Sequence, residues 1–236
     1  MSQTAASTGL FASSIPRANA QSELHESARP RRASWPETFT TEQVRGLVRQ
    51  LFLSETERRS RQILFSSTDR ETDIRCVCRL VGEALALENV GNVAVLGTHP
   101  HLYPAGSVAS EMRRDDRRRE TTPLQQAGFH IANNLWVIPN TLAERFSMTS
   151  RLHSAIADLR REFQYSIIEG PVADSHEALM MAQMADGVVL VLSAHHTRRA
   201  MARKLKHVLE SVNARILGTV LMDRVFPIPE NIYRRL

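Results

Sequence analysis

The residues best equipped for chemistry gather where apolar runs give way to polar turns. The stretch Ile63–Ala86 reads as a buried strand, a turn and a long helix. The turn is Thr68-Asp69-Arg70-Glu71-Thr72-Asp73, followed by Ile74-Arg75-Cys76. A strand running straight into a helix is where α/β proteins hold phosphates, because the strand's carboxyl end and the helix's unpaired amides converge there. Binding a nucleotide's phosphates calls for glycines that let the backbone come close and a lysine that reaches the β- and γ-phosphates. This turn has neither, and Asp69, Glu71 and Asp73 would repel a polyphosphate. A second set of chemical groups lies at other predicted strand ends: His99 and His101, His195 and His196, and Glu169. Imidazole and carboxylate are the right ligands for a metal ion. The pattern lacks a ligand-spacing motif, and exposed loop histidines are the simpler reading. A third is the basic helix Thr197–His207, with Arg198, Arg199, Arg203, Lys204 and Lys206 around an apolar stripe. It suits an acidic partner or membrane headgroups, or serves only as a solvated face.

The elements that must position these groups follow from apolar periodicity. A helix is expected over Glu42–Leu53, capped by Thr41, with Val44, Leu47, Val48 and Leu51 on one face. After the turn, Ile74, Val77, Val81, Ala84 and Leu85 recur at helical spacing. Strands are expected at Asn92–Leu96, Leu135–Ile138, Tyr165–Ile168, Gly187–Leu192 and Ile216–Leu221. Between them come helices at Ser150–Phe163, Ser175–Met184 and Thr197–Asn213, the last burying Met201, Leu205, Val208 and Val212. Unbroken Val/Ile/Leu strands alternating with amphipathic helices indicate an α/β fold, a mainly parallel β-sheet flanked by helices on both faces. Residues 1–36, rich in Ser, Ala, Arg and Pro, read as a disordered N-terminal tail, and 37–236 as one domain.

Composition fits this picture. Of 236 residues, 42% are hydrophobic and 23% charged, which suits a globular protein. No apolar run approaches the ~18 residues of a membrane span, and a secretory apolar region is missing near the N-terminus. A cytoplasmic location is the expectation. Cys76 and Cys78, the two cysteines, are one residue apart on a predicted helix and face different ways, so they read as small packing residues. The run Glu111–Glu120, EMRRDDRRRE, has no interleaved aromatic residue and reads as a solvated segment; no nucleic-acid partner is expected. The net charge of +5 is modest.

With these motifs placed, the chain resembles the cytoplasmic kinase domain of the bacterial tyrosine kinases of exopolysaccharide and capsule assembly, in the MinD/ParA-like branch of P-loop proteins. The likeness rests on NNLWVIPN, LRREFQYSIIEGP, ADGVVLVLSAHHTRRA and ARILGTVLM, and on Thr41–Ala86, where Glu42 and Arg45 resemble part of the family's oligomerisation motif. The resemblance implies a P-loop NTPase-like domain and an ATP- and magnesium-dependent protein-tyrosine kinase. It also implies a partner in the cytoplasmic segment of a membrane polysaccharide chain-length regulator, and a possible homo-oligomer. The departures fall on the chemistry. Asp73-Ile74-Arg75-Cys76 stands where the family has Gly-Lys-Ser/Thr, and Gly97-Thr98-His99 where it has Asp-x-Asp. Glu169 keeps the last acidic position and is the one catalytic candidate. Met222 replaces the base-contacting Asn, Tyr233 is what remains of a tyrosine cluster, and Val48 precedes Arg49 where the oligomerisation motif would place its next arginine. The expectation is a non-catalytic relative of the kinase domain with a degenerate nucleotide loop, Thr68–Cys76, and no cofactor. It would act as a regulatory or scaffolding subunit in polysaccharide synthesis or export, beside a chain-length regulator or an active kinase paralogue, and peripheral at the inner membrane through that partner. The alternatives are a residual ATP-binding kinase that uses Arg70 or Arg75 with Glu169, and a partition- or septum-type positioning protein. The C-terminal segment 226–236 is either a clasp or a docking peptide.

Overall fold

A computed structural model describes residues 40–54, 59–97, 122–132, 134–139 and 149–224. The expected tail, His99, His101, the arginine-rich run, Tyr233 and the C-terminal segment lie outside the described residues. The elements, in chain order, are α1 (Thr41–Phe52), β1 (Gln62–Ser67), α2 (Arg75–Leu87), β2 (Val93–Gly97), α3 (Pro123–Ala127), β3 (Phe129–Ala132), β4 (Leu135–Pro139), α4 (Thr149–Glu162), β5 (Tyr165–Glu169), α5 (His176–Met184), β6 (Gly187–Ser193), α6 (Arg199–Ser211) and β7 (Ile216–Met222).

The strands form a seven-stranded sheet in the order β3-β4-β2-β5-β1-β6-β7. All neighbours are parallel except β3 and β4. Strand β1 sits between β5 and β6 and is buried along its whole length. Its side chains alternate between two cores: Ile63 and Phe65 join Val48, Phe52, Val77, Val81 and Leu85 from α1 and α2, while Leu64 joins Ile156, Leu159, Met181, Leu205 and Leu209 from α4, α5 and α6. Each fully buried Leu, Ile or Phe removes enough apolar surface from water to contribute about 1.5–3 kcal/mol. A strand covered on both faces therefore gains from every residue, which is why it reads as a continuous apolar run.

Polar groups fix where β1 begins. The Asp186 carboxylate accepts hydrogen bonds from the Arg61 and Gln62 amides at 2.8 and 2.9 Å and from the Arg160 guanidinium at 2.7 Å. The opposite, carboxyl end of the strand is thereby held in register with β6 and presents the turn that follows.

Three expectations are corrected. The cap of α1 is Thr40: its hydroxyl accepts from the Gln43 amide at 3.3 Å, while the Gln43 side chain accepts from the Thr40 amide at 3.0 Å. Thr41 would need a reciprocating side chain at position 44, and that residue is Val. Helix α6 begins at Arg199 because the Thr197 hydroxyl is drawn into the turn after β1. Met201 is 41% exposed, since the buried face of α6 is centred on Leu205 and Leu209. Helical spacing alone does not bury a residue without an opposing surface. Two further elements, α3 and β3, have no counterpart in the apolar pattern: α3 is a single turn, and only Ile131 of β3 is buried.

Gly82 sets how closely α2 lies on the sheet. A Cβ there would stand 2.6 Å from Cγ2 of Val95, a buried and branched side chain with little room to move. Alanine in a helix interior ordinarily gains about 0.5–1 kcal/mol over glycine. Here the crowding reverses the sign, and Gly82→Ala is expected to lose ~1–3 kcal/mol in urea unfolding. An unchanged or raised midpoint would show that α2 is free to move away from β2.

Candidate functional site

The carboxyl ends of β1, β5 and β6 meet at one edge of the sheet, and backbone hydrogen bonds lock the chain leaving each of them. The Gly170 amide donates to the Phe65 carbonyl at 2.8 Å and the Ala173 amide to the Ser67 carbonyl at 3.0 Å, so the β5 exit runs along the end of β1. The Ser66 hydroxyl adds a bond to the Pro171 carbonyl. From β6, the Val191 carbonyl accepts from the Thr68 amide at 3.3 Å.

Asp69 is the centre of the turn. Its Oδ1 accepts from the backbone amides of Glu71 and Thr72 at 3.1 and 2.8 Å, and from the Thr72 hydroxyl at 2.7 Å. Its Oδ2 accepts from the hydroxyls of Thr68 at 3.1 Å and Thr197 at 3.3 Å. The Thr68 and Thr197 oxygens lie 2.7 Å apart, so one of these two hydroxyl protons is shared between Asp69 and the other hydroxyl, and the Thr197 Oγ1 accepts from the Ser193 amide at 3.0 Å. Burial pushes the Asp69 carboxyl upward, but the bonds from Thr72, Thr68 and the Glu71 amide outweigh it and hold the group below the usual aspartate value. Two amides and the hydroxyls beside them at the end of this strand, donors of the kind a phosphate uses, thus already meet a carboxylate of the same loop.

The remaining residues of the loop point the same way. Asp73 accepts from the Arg75 amide at 3.1 Å and from its Nε and Nη2 at 2.7 and 2.9 Å. That pairing, above all, raises the Arg75 guanidinium's affinity for its proton and ties it to the loop, with Glu169 adding at longer range. Ile74 is buried in the core shared by α1 and α2, so the side chain at this position faces inward. Arg70 and Glu71 are exposed. Glu71 pairs with His196 at 3.3 Å across open surface, a contact of little energetic weight. Burial raises the thiols of Cys76 and Cys78, so neither is an activated nucleophile.

Glu169 ends β5 beside Gly97, the last residue of β2. Gly97 has φ +108°, and a Cβ on it would stand 2.8 Å from the Glu169 Cβ and 3.1 Å from its carbonyl oxygen. An acid at position 97 would therefore need a displaced backbone. Past β6, the Ser193 hydroxyl donates to Asp223 at 2.9 Å, and Asp223 turns the chain after β7 with φ 57°. His195 is exposed, and among the described residues no three His, Cys, Asp or Glu side chains gather in a metal-holding group. Glu42 and Arg45 are exposed on α1, as are Arg198, Arg199 and Arg203 at the start of α6.

Together these groups do not fit magnesium-ATP. The Glu71 and Thr72 amides face Asp69, the residue after Asp73 is apolar and buried, and the neighbouring arginine is paired with Asp73. Sequence reasoning read Asp69 only as a repelling charge. Its role was nonetheless encoded, since an Asp three residues before a Thr commonly accepts from the amides two and three residues on. Thr197 is 128 residues from Asp69 and carries no such local signal; only the adjacency of β1 and β6 brings it in.

Replacing Asp69 with Asn removes the charge and leaves the shape. Charge-assisted bonds in such a cluster are worth enough that Asp69→Asn should lose about 1–3 kcal/mol of stability at pH 7. Because the folded carboxyl titrates below its unfolded value, the contribution is complete above the unfolded value and fades as pH falls through the lowered one. The gap between wild type and variant in urea unfolding should therefore close below about pH 4. A gap of constant size would show that the charge is not what holds the turn.

Neither a protein-family model nor a curated protein matches the sequence. Solved structures do. The chimerical protein CapA2B2 superposes with a TM-score of 0.59 at 17% identity, over 80% of this chain and 86% of that one. The kinase domain of Escherichia coli tyrosine kinase ETK gives 0.59 at 15% identity, over 80% and 79%. A ParA family ATPase from Chlorobium tepidum TLS gives 0.53 at 16% identity, over 69% and 74%. Among the described residues no helix is long and apolar enough to cross a membrane. The chain thus carries the P-loop NTPase-like fold of the MinD/ParA type, the fold in which the bacterial tyrosine kinase domains are also built.

Proposed function

We propose that this protein is a non-catalytic relative of the exopolysaccharide tyrosine kinase domains, a regulatory or scaffolding subunit in polysaccharide synthesis or export. The observation that carries the reading is Asp69: its carboxylate accepts the bonds from the Glu71 and Thr72 amides and from the hydroxyls of Thr68, Thr72 and Thr197. Phosphoryl transfer depends on positioning the polyphosphate and neutralising its charge. A loop whose donors are engaged and whose lysine position is a buried isoleucine supports neither. The sheet and both helical layers are kept, so surfaces for partners remain while the chemistry is lost. By the same resemblance, the partner is the cytoplasmic segment of a membrane chain-length regulator or an active paralogue of the kinase.

Thermal unfolding with magnesium-ATP tests this. A ligand present at one hundred times its dissociation constant adds ~2.7 kcal/mol, a shift of several degrees. The wild-type protein is expected to show no shift at millimolar nucleotide, while still co-purifying with the regulator's cytoplasmic segment. A shift of several degrees that Glu169→Ala abolishes would replace this reading with an ATP-binding kinase.

A further inference from the structure

Helix α6 presents a cationic face for which neither the sheet nor the turn has a use. Leu205 and Leu209 anchor it in the core, while Arg199, Arg203, Lys204, Lys206 and His207 are exposed, preceded by exposed Arg198 at the cap. The helix has one acid, Glu210, which lies 3.5 Å from both Lys206 and His207. Among the described residues, a depression on this face is lined by Ala200, Arg203, Lys204, His207, Val208 and Ser211. Single-stranded nucleic acid needs aromatic platforms, which this helix lacks. Basic side chains along one side of a straight helix roughly 20 Å long can all reach a flat partner together.

We infer that the outer face of α6 docks on anionic lipid headgroups. Nucleotide binding at the turn is neither required nor excluded by this, so the two readings fail separately. Each basic residue close to an anionic surface is worth about 1 kcal/mol. Reversing two of them should therefore weaken partitioning by roughly tenfold or more.

The test is co-sedimentation of the full chain with vesicles of phosphatidylcholine alone or mixed with phosphatidylglycerol. Binding is expected only to the mixed vesicles and is expected to fall with added salt. Arg203→Glu with Lys204→Glu should abolish most of it, whereas Arg49→Glu with Arg59→Glu, an equal change in net charge at exposed sites outside α6, should not. Arg203→Gln with Lys204→Gln gives the same comparison if the reversed pair melts early. Absence of binding to the mixed vesicles would overturn the inference. So would equal losses in the two reversed pairs, which would mean net charge alone, or displacement from the vesicles by duplex DNA at matched charge, which would mean a polyanion of another class.

Discussion

A strand that ends inside a sheet hands its polar backbone to the turn that follows, and each donor there has to find an acceptor. In this protein the acceptor is the Asp69 carboxylate. It gathers two amides and three hydroxyls, one of them from Thr197 on the far side of β6. The arrangement holds the turn that leads into α2 and fastens the β6–α6 connection to β1. A buried or half-buried set of donors is costly when unmet. The loop is therefore stable as built, with its Glu71 and Thr72 amides met from within.

The rest of the corner is consistent with that constraint. A lysine at position 74 would be a buried charge, whereas isoleucine adds to the core beneath α2. Gly97 lies so close to Glu169 that a side chain at the end of β2 would press on β5. Arg75 turns back on Asp73 rather than reaching across the site. Each of these positions is held by a packed or paired group.

Much of this fold was legible in the sequence, for a physical reason. Strands β1, β4, β5 and β6 are covered on both faces, so Ile63-Leu64-Phe65 or Val188-Val189-Leu190-Val191 are apolar without interruption and could be placed within a residue or two. Strand β3 escaped because it is an edge strand in which only Ile131 is buried. The order of the strands was not legible, since nothing local says that β1 pairs with β5 and β6 rather than with β2. The corner was half legible: the missing glycines and lysine were plain, but the part played by Asp69 depends on Thr197, which only the completed sheet delivers.

The central claim is that the Glu71 and Thr72 amides are committed to Asp69. Amide-resolved hydrogen exchange by NMR addresses it directly. The Glu71 and Thr72 amides should be protected in the wild-type protein, lose that protection in Asp69→Ala, and keep their chemical shifts when magnesium-ATP is added. Free exchange of both amides in the wild type, or a shift of either with nucleotide, would contradict the account.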